Sequence, residues 1–89
     1  MFYFYILYSD KLDRYYLGSA EDTRKRLVKH NEKHKGFTGG AQDWKLVYTE
    51  SFRTLSEARQ RELQVKRKKS RKYIEWLISR KSRGSEESL

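Results

Sequence analysis

Eighty-nine residues without a cysteine leave room for one small domain that buries roughly 60–65% of its unfolded surface, and they exclude a disulfide-stapled scaffold and a thiolate metal site. Twenty-one lysines and arginines against twelve acids give a net charge of +9, which points to a polyanionic partner, nucleic acid first and an acidic membrane surface second, without choosing between binding and catalysis. No apolar run approaches the ~20 residues of a bilayer span, and the lack of cysteine fits a reducing compartment, so the chain is expected in the cytoplasm, with no membrane and no obligate protein partner.

The stretch Phe2 to Tyr8 is dense in aromatic and β-branched residues and reads as a strand. It has no basic leader and is too short and tyrosine-rich for a signal peptide. Phe2, Phe4, Ile6 and Tyr8 should face one side, and Tyr3, Tyr5 and Leu7 the other. Ser9 to Arg14 supplies turn chemistry, after which Tyr15 to Ser19 can return as an antiparallel partner. That pairing brings Tyr5 near Tyr16 in plausible registers, although register itself is not legible.

Asp22 and Thr23 offer caps for a helix running to about His34. Arg26, Lys29, His30 and Lys33 recur at i, i+3, i+4 and i+7 and form one cationic stripe, with Leu27 and Val28 beside it as the packing residues. The glycines of Gly36-Phe37-Thr38-Gly39-Gly40 make a flexible loop, and Trp44 to Thr49 reads as a third strand.

The pattern Thr54-Leu55-Ser56-Glu57 is a capping box that opens a second helix. Its apolar residues Leu55, Ala58, Leu63 and Val65 define an arc centred close to Glu62 and not far from Lys66. A carboxylate on a packing face costs several kcal/mol unless it is paired or bound to a metal. Six of the seven residues from Lys66 to Lys72 are basic, and Ser70 can cap a third helix carrying Tyr73, Ile74, Trp76, Leu77 and Ile78. Trp44 and Trp76 read as core. From Ser79 the chain reads as a frayed, solvated tail, so the domain is placed at residues 1–81 and a disordered tail at 82–89. The fold class is α+β, a small three-stranded antiparallel sheet flanked by helices in the order β-β-α-β-α-α.

Taken singly, the polar residues have plain readings. Tyr5 and Tyr16 fit ordinary sheet tyrosines, Arg26 and His30 a solvated helix face, and Glu62 an i,i+4 partner for Lys66 worth about 0.2–0.5 kcal/mol. Taken in order, the chain from about Phe2 to about Ile78 resembles the GIY-YIG nuclease superfamily, especially its small stand-alone bacterial members, which are similar to the N-terminal domain of the repair excinuclease. Phe4-Tyr5-Ile6-Leu7 is similar to the first motif, with Phe4 where the family's glycine stands. Tyr16-Leu17-Gly18 is similar to the second, with leucine for isoleucine. Arg26 and His30-Asn31 match the helix arginine and the His-Asn that often follows it, and Glu62 with Lys66 matches Glu-x-x-x-Lys.

The resemblance implies a divalent-metal-dependent endonuclease acting on DNA, of the repair or recombination type and selective for structure or damage. It assigns catalysis to Tyr5, Tyr16, Arg26, His30 and Glu62. Tyr5 would activate the attacking water with support from Tyr16, Arg26 would clamp phosphate oxygens, and His30 would position the water or share its proton. Glu62 would hold one Mg²⁺ or Mn²⁺. A free tyrosine titrates near ~10, so Tyr5 needs cationic neighbours to act as a base, and the helix stripe can supply them. Lys29, Lys33, Lys66, Arg67, Lys68, Lys69, Arg71 and Lys72 are expected to contact phosphate without sequence preference. The site requires the five catalytic candidates to reach one groove, with Glu62 on the same side of the sheet as the two phenols. The alternatives are a nucleic-acid-binding module that keeps the fold without catalysis, and a protein that docks acidic partners or anionic membrane through its basic helices.

Overall fold

Alternating large side chains make the first strand the centre of the molecule. The computed structural model describes residues 1–32 and 40–87, with side chains as far as residue 80. Strands β1 (Phe2–Ser9), β2 (Arg14–Ala20) and β3 (Lys45–Phe52) form one antiparallel sheet in the order β2-β1-β3, joined by helices α1 (Thr23–Asn31), α2 (Leu55–Lys68) and α3 (Arg71–Glu87). The element order β-β-α-β-α-α is the expected one. Because β1 is central, both of its faces are covered. Phe4 and Ile6 join Tyr48, Val65 and Leu77 in a core under α2 and α3, whereas Tyr5 and Leu7 join Ala20 and Trp44 in a second core, against which Leu27 of α1 packs.

The helix starts obey the cap chemistry. Asp22 accepts from the Lys25 amide at 3.0 Å, Thr54 Oγ1 from the Glu57 amide at 3.2 Å, and Ser70 Oγ from the Tyr73 amide at 3.2 Å. At the far end of α2, Lys69 takes a left-handed backbone (φ 47°) that stops the helix and lets α3 fold back across the sheet. Helix α3 runs on to Glu87, past Ser79 and into the stretch expected as a tail. No proline interrupts it, and its basic residues are good helix formers.

Three side chains expected in the core are outside it. Val28 is 63% exposed, because the one inward stripe of α1 runs through Leu27 and His30. Leu63 is 51% exposed, since α2 seats Ala58 and Val65, and the covered arc between them carries Arg61 and Glu62 instead. Trp76 is also 51% exposed, stacked near Tyr73 and Arg80, while Tyr73, Ile74, Leu77 and Ile78 take the inward face of α3. Of the loop expected over Gly36–Gly40, all but Gly40 lie outside the described residues, as does the helix end at His34.

Polar clamps tie the segment before β3 to the rest. Asp43 accepts from Ser9 Oγ at 2.6 Å and from the Lys11 amide at 2.9 Å, fixing the β1–β2 turn. The Asn31 side chain bonds both backbone groups of Trp44, accepting from its N–H at 2.7 Å and donating to its carbonyl at 2.9 Å. This fork pins the end of α1, and His30 with it, to a tryptophan that is only 3% exposed. Replacing Asn31 by alanine removes both bonds and is expected to lower stability by about 2 kcal/mol, at about 1 kcal/mol each. Urea unfolding of Asn31→Ala beside the unchanged protein measures that loss, and an unchanged midpoint would mean that the fork is not what holds α1.

Candidate active site

Strand pairing decides where the two tyrosines meet. Tyr5 stands opposite Gly18, and Leu7 opposite Tyr16, so both phenols lie on the α1 face of the sheet. His30, half-buried on the inner side of α1, completes a triangle of rings, with centroids 6.2 Å from Tyr5 and 4.4 Å from Tyr16, and the two tyrosine centroids are 6.4 Å apart. Tyr5 Oη lies 3.2 Å from His30 Nε2, a hydrogen bond that the phenol donates when the imidazole is neutral and protonated on Nδ1.

Gly18 is what lets the Tyr5 ring lie there. A Cβ on residue 18 would stand 2.5 Å from Tyr5 Oη and 2.6 Å from Cζ. Only glycine therefore admits the phenol across β2, which is an edge strand, and the hydroxyl is carried to the border of the sheet.

Glu62 does not come from the face of the phenols. It rises from α2, which packs on the opposite face, and is half-buried there. The expectation of one shared face is thus corrected: a side chain on α2 can approach Tyr5 only around the β2 edge. Glu62 Oε1 accepts from Ser19 Oγ, on the residue next to Gly18, and Oε2 accepts from Lys66 Nζ. Its charge is felt by Tyr5.

The acid–base state of Tyr5 follows from these neighbours. Burial, then Tyr16, pushes the phenol up to about 12; Arg26 pulls the other way, and Glu62 adds to the rise. The expected activation by cationic neighbours is therefore outweighed, and Tyr5 is protonated at neutral pH. Its folded-state value lies above the ~10 of an unfolded chain, so its contribution to stability is complete below pH ~10 and is lost as pH rises towards about 12. The tyrosinate absorbance difference between the unchanged protein and Tyr5→Phe should titrate near that value; a midpoint at or below 10 would mean that Arg26 dominates.

The remaining candidates divide into rim and pins. Arg26 and Lys29 are exposed on α1 beside His30, and Lys33 lies outside the described residues. Arg67, Lys68, Lys69 and Lys72 are exposed around the α2–α3 junction, Lys68 lying 5.5 Å from the Tyr73 ring centre. Arg71 is a pin: its guanidinium holds the Asp13 carboxylate and carbonyl and lies 5.2 Å over the Tyr15 ring. Ser19 and Asn31 had no role assigned from sequence, and neither did Gly18 as a seat for the phenol. Ser19 is found only once the pairing of β2 with β1 is known, whereas Asn31, next to the histidine at a helix end, carried a local signal.

As a cation site, Glu62 offers one hard carboxylate whose outer oxygen already faces a positive charge. Lys66 is half-exposed and can withdraw into solvent. Among the described residues no group of three or more His, Asp or Glu gathers, so an ion here would take the rest of its shell from water and substrate, as suits Mg²⁺.

Comparison with known proteins matches most of the chain to a family. Residues 1–74 match the family model described as the GIY-YIG catalytic domain. A UPF0213 protein of Bacillus velezensis is 39% identical over 77 residues, which is 82% of this chain and 77% of that protein. A UPF0213 protein of Staphylococcus saprophyticus is 42% identical over 52 residues, 57% of this chain and 63% of its own length. No solved structure gives a significant match.

Proposed function

The chain belongs to the GIY-YIG family, a nuclease family, and from that membership we propose that it is an endonuclease hydrolysing phosphodiester bonds in DNA with one divalent cation. The observation that carries the reading is that one edge strand bears the Tyr5 phenol over Gly18 on one face and the Glu62 carboxylate on Ser19, the next residue, on the other. For one backbone phosphate to engage both, it must lie along the β2 edge, since phenol and carboxylate belong to opposite faces of the sheet.

Residues 1–81 form the proposed nuclease unit. In it, Tyr5 takes the proton of the attacking water as its own passes to His30 along the hydrogen bond between them. The water oxygen bonds to phosphorus, and the bond to the leaving ester oxygen breaks, that oxygen departing as an alkoxide. Tyr16 packs against His30 and holds its ring. Arg26 offers a planar fork to the non-bridging oxygens. Glu62 is the residue that would hold Mg²⁺ or Mn²⁺, which supplies charge neutralisation at the phosphate and the leaving oxygen. Selection for DNA structure or damage over sequence belongs to the same proposal.

A second reading, a binder without catalysis, draws support from the high Tyr5 value and from the Lys66 ammonium on Glu62. A cleavage screen over branched, flapped, nicked and single-stranded DNA, with and without Mg²⁺ or Mn²⁺, separates the two. Nicking that needs the ion and disappears in Tyr5→Phe with binding retained is the expected result. No cutting of any substrate, with tight binding, would favour the binder.

A further inference from the structure

Ser19 puts a hydroxyl on a largely apolar face of the sheet. It stands opposite Phe4 in the β1–β2 ladder, and Leu17, two residues back on β2, packs with Phe4, Ile6 and Val65 into one core. A half-buried hydroxyl in such a place is costly unless it is bonded, and a β-branched apolar residue would suit the strand better. The bond it makes is to Glu62 Oε1, 43 residues along the chain. Glu62 Oε2 bonds instead to the ammonium of Lys66, a side chain 50% exposed where that of Glu62 is 18% exposed. The two partners differ in kind. A neutral hydroxyl fixes the carboxylate and leaves its charge, whereas the ammonium cancels that charge and can be replaced by another cation.

We propose that Ser19 is a positioning residue for the divalent cation: it holds Glu62 against β2 by Oε1, so that Oε2, the oxygen now on Lys66, is the one offered to the ion. Several torsions separate the Glu62 carboxylate from its backbone, and the Ser19 bond selects among the orientations they allow. Without that bond the carboxylate turns freely. It is then no longer kept beside the edge strand that carries the Tyr5 phenol over Gly18 on its other face. The ion and Lys66 compete for one oxygen, so the lysine sets how readily the site loads. The proposal rests on the reading of Glu62 as the ion's ligand and deepens it.

The test is Mn²⁺ binding without DNA, read from the paramagnetic resonance signal of the free ion. The unchanged protein is compared with Ser19→Ala, Ser19→Thr, Lys66→Met and Glu62→Gln. Ser19→Ala should bind the ion about 10–100-fold more weakly, the usual loss when a residue that orients a metal ligand is removed. Ser19→Thr keeps the hydroxyl in a residue suited to a strand and should bind as the unchanged protein does. Lys66→Met should bind more tightly. With chelator present, DNA affinity should be the same in Ser19→Ala and the unchanged protein. Mn²⁺ binding unaltered in Ser19→Ala but lost in Glu62→Gln would overturn the positioning role and leave Glu62 as the ligand. A fall in chelated DNA affinity in Ser19→Ala would make the hydroxyl a structural bond only, and would equally overturn it. Lys66→Met that binds no more tightly would take the ion away from Oε2. Binding that survives Glu62→Gln, or none by the unchanged protein, would remove Glu62 as the ligand and bring down the reading beneath the proposal.

Discussion

Replacing Glu62 by glutamine is expected to reduce DNA cutting by about 10³ or more, the rate equivalent of about 4 kcal/mol of transition-state stabilisation, while DNA binding holds or tightens. The amide can still accept from Ser19, so the local fold is kept, but it carries no charge to hold a divalent ion against a phosphate. Lys66 loses its partner and becomes available to the DNA, and one negative charge leaves a surface that meets a polyanion. The stability cost should be small, since an i,i+4 pair contributes about 0.2–0.5 kcal/mol. Cutting falls and affinity does not. Parallel rate and anisotropy measurements check this, and a rate within a few-fold of the unchanged protein would remove Glu62 from the chemistry.

Gly18→Ala should be nearly as damaging by a different route. The new methyl would stand 2.5 Å from the Tyr5 hydroxyl, and a ring that is 2% exposed has little space to retreat into. Overpacking of this kind costs about 1–3 kcal/mol. Whatever stability remains, the phenol must leave the strand edge, and a displacement on the order of 1 Å costs about 10² in rate. The expected variant is therefore folded, somewhat less stable, able to bind DNA and slow to cut it. Full activity in Gly18→Ala, with thermal stability unchanged, would mean that the phenol has no need of its position over β2.

Most of the fold was legible because its signals are local. The alternation from Phe2 to Tyr8 gave both faces of β1, and Asp22, Thr54 and Ser70 marked helix starts that the structure caps with those side chains. What escaped depends on contacts far along the chain. Val28, Leu63 and Trp76 are apolar residues that their helices leave outside, because which stripe is covered is decided by where a helix lands, not by its composition. For the candidate site, the sequence allowed residues to be nominated but not their geometry to be placed. Nothing in Tyr16-Leu17-Gly18 discloses that the glycine sits opposite Tyr5, and nothing in α2 discloses that Glu62 lies on the far face of the sheet, bonded to Ser19. Both follow from register and layer order, which single residues do not encode.

The most direct measurement is the single-turnover nicking rate of branched DNA at saturating Mg²⁺ for Tyr5→Phe, Glu62→Gln and the double variant, with binding followed alongside. If phenol and carboxylate serve one phosphate across the β2 edge, each single variant is severely slowed, and the double is no worse than the slower single by more than a few-fold, because groups that act as a unit are not additive. Losses that multiply, or a single variant that cuts at the unchanged rate, would contradict a site shared across the edge of the sheet.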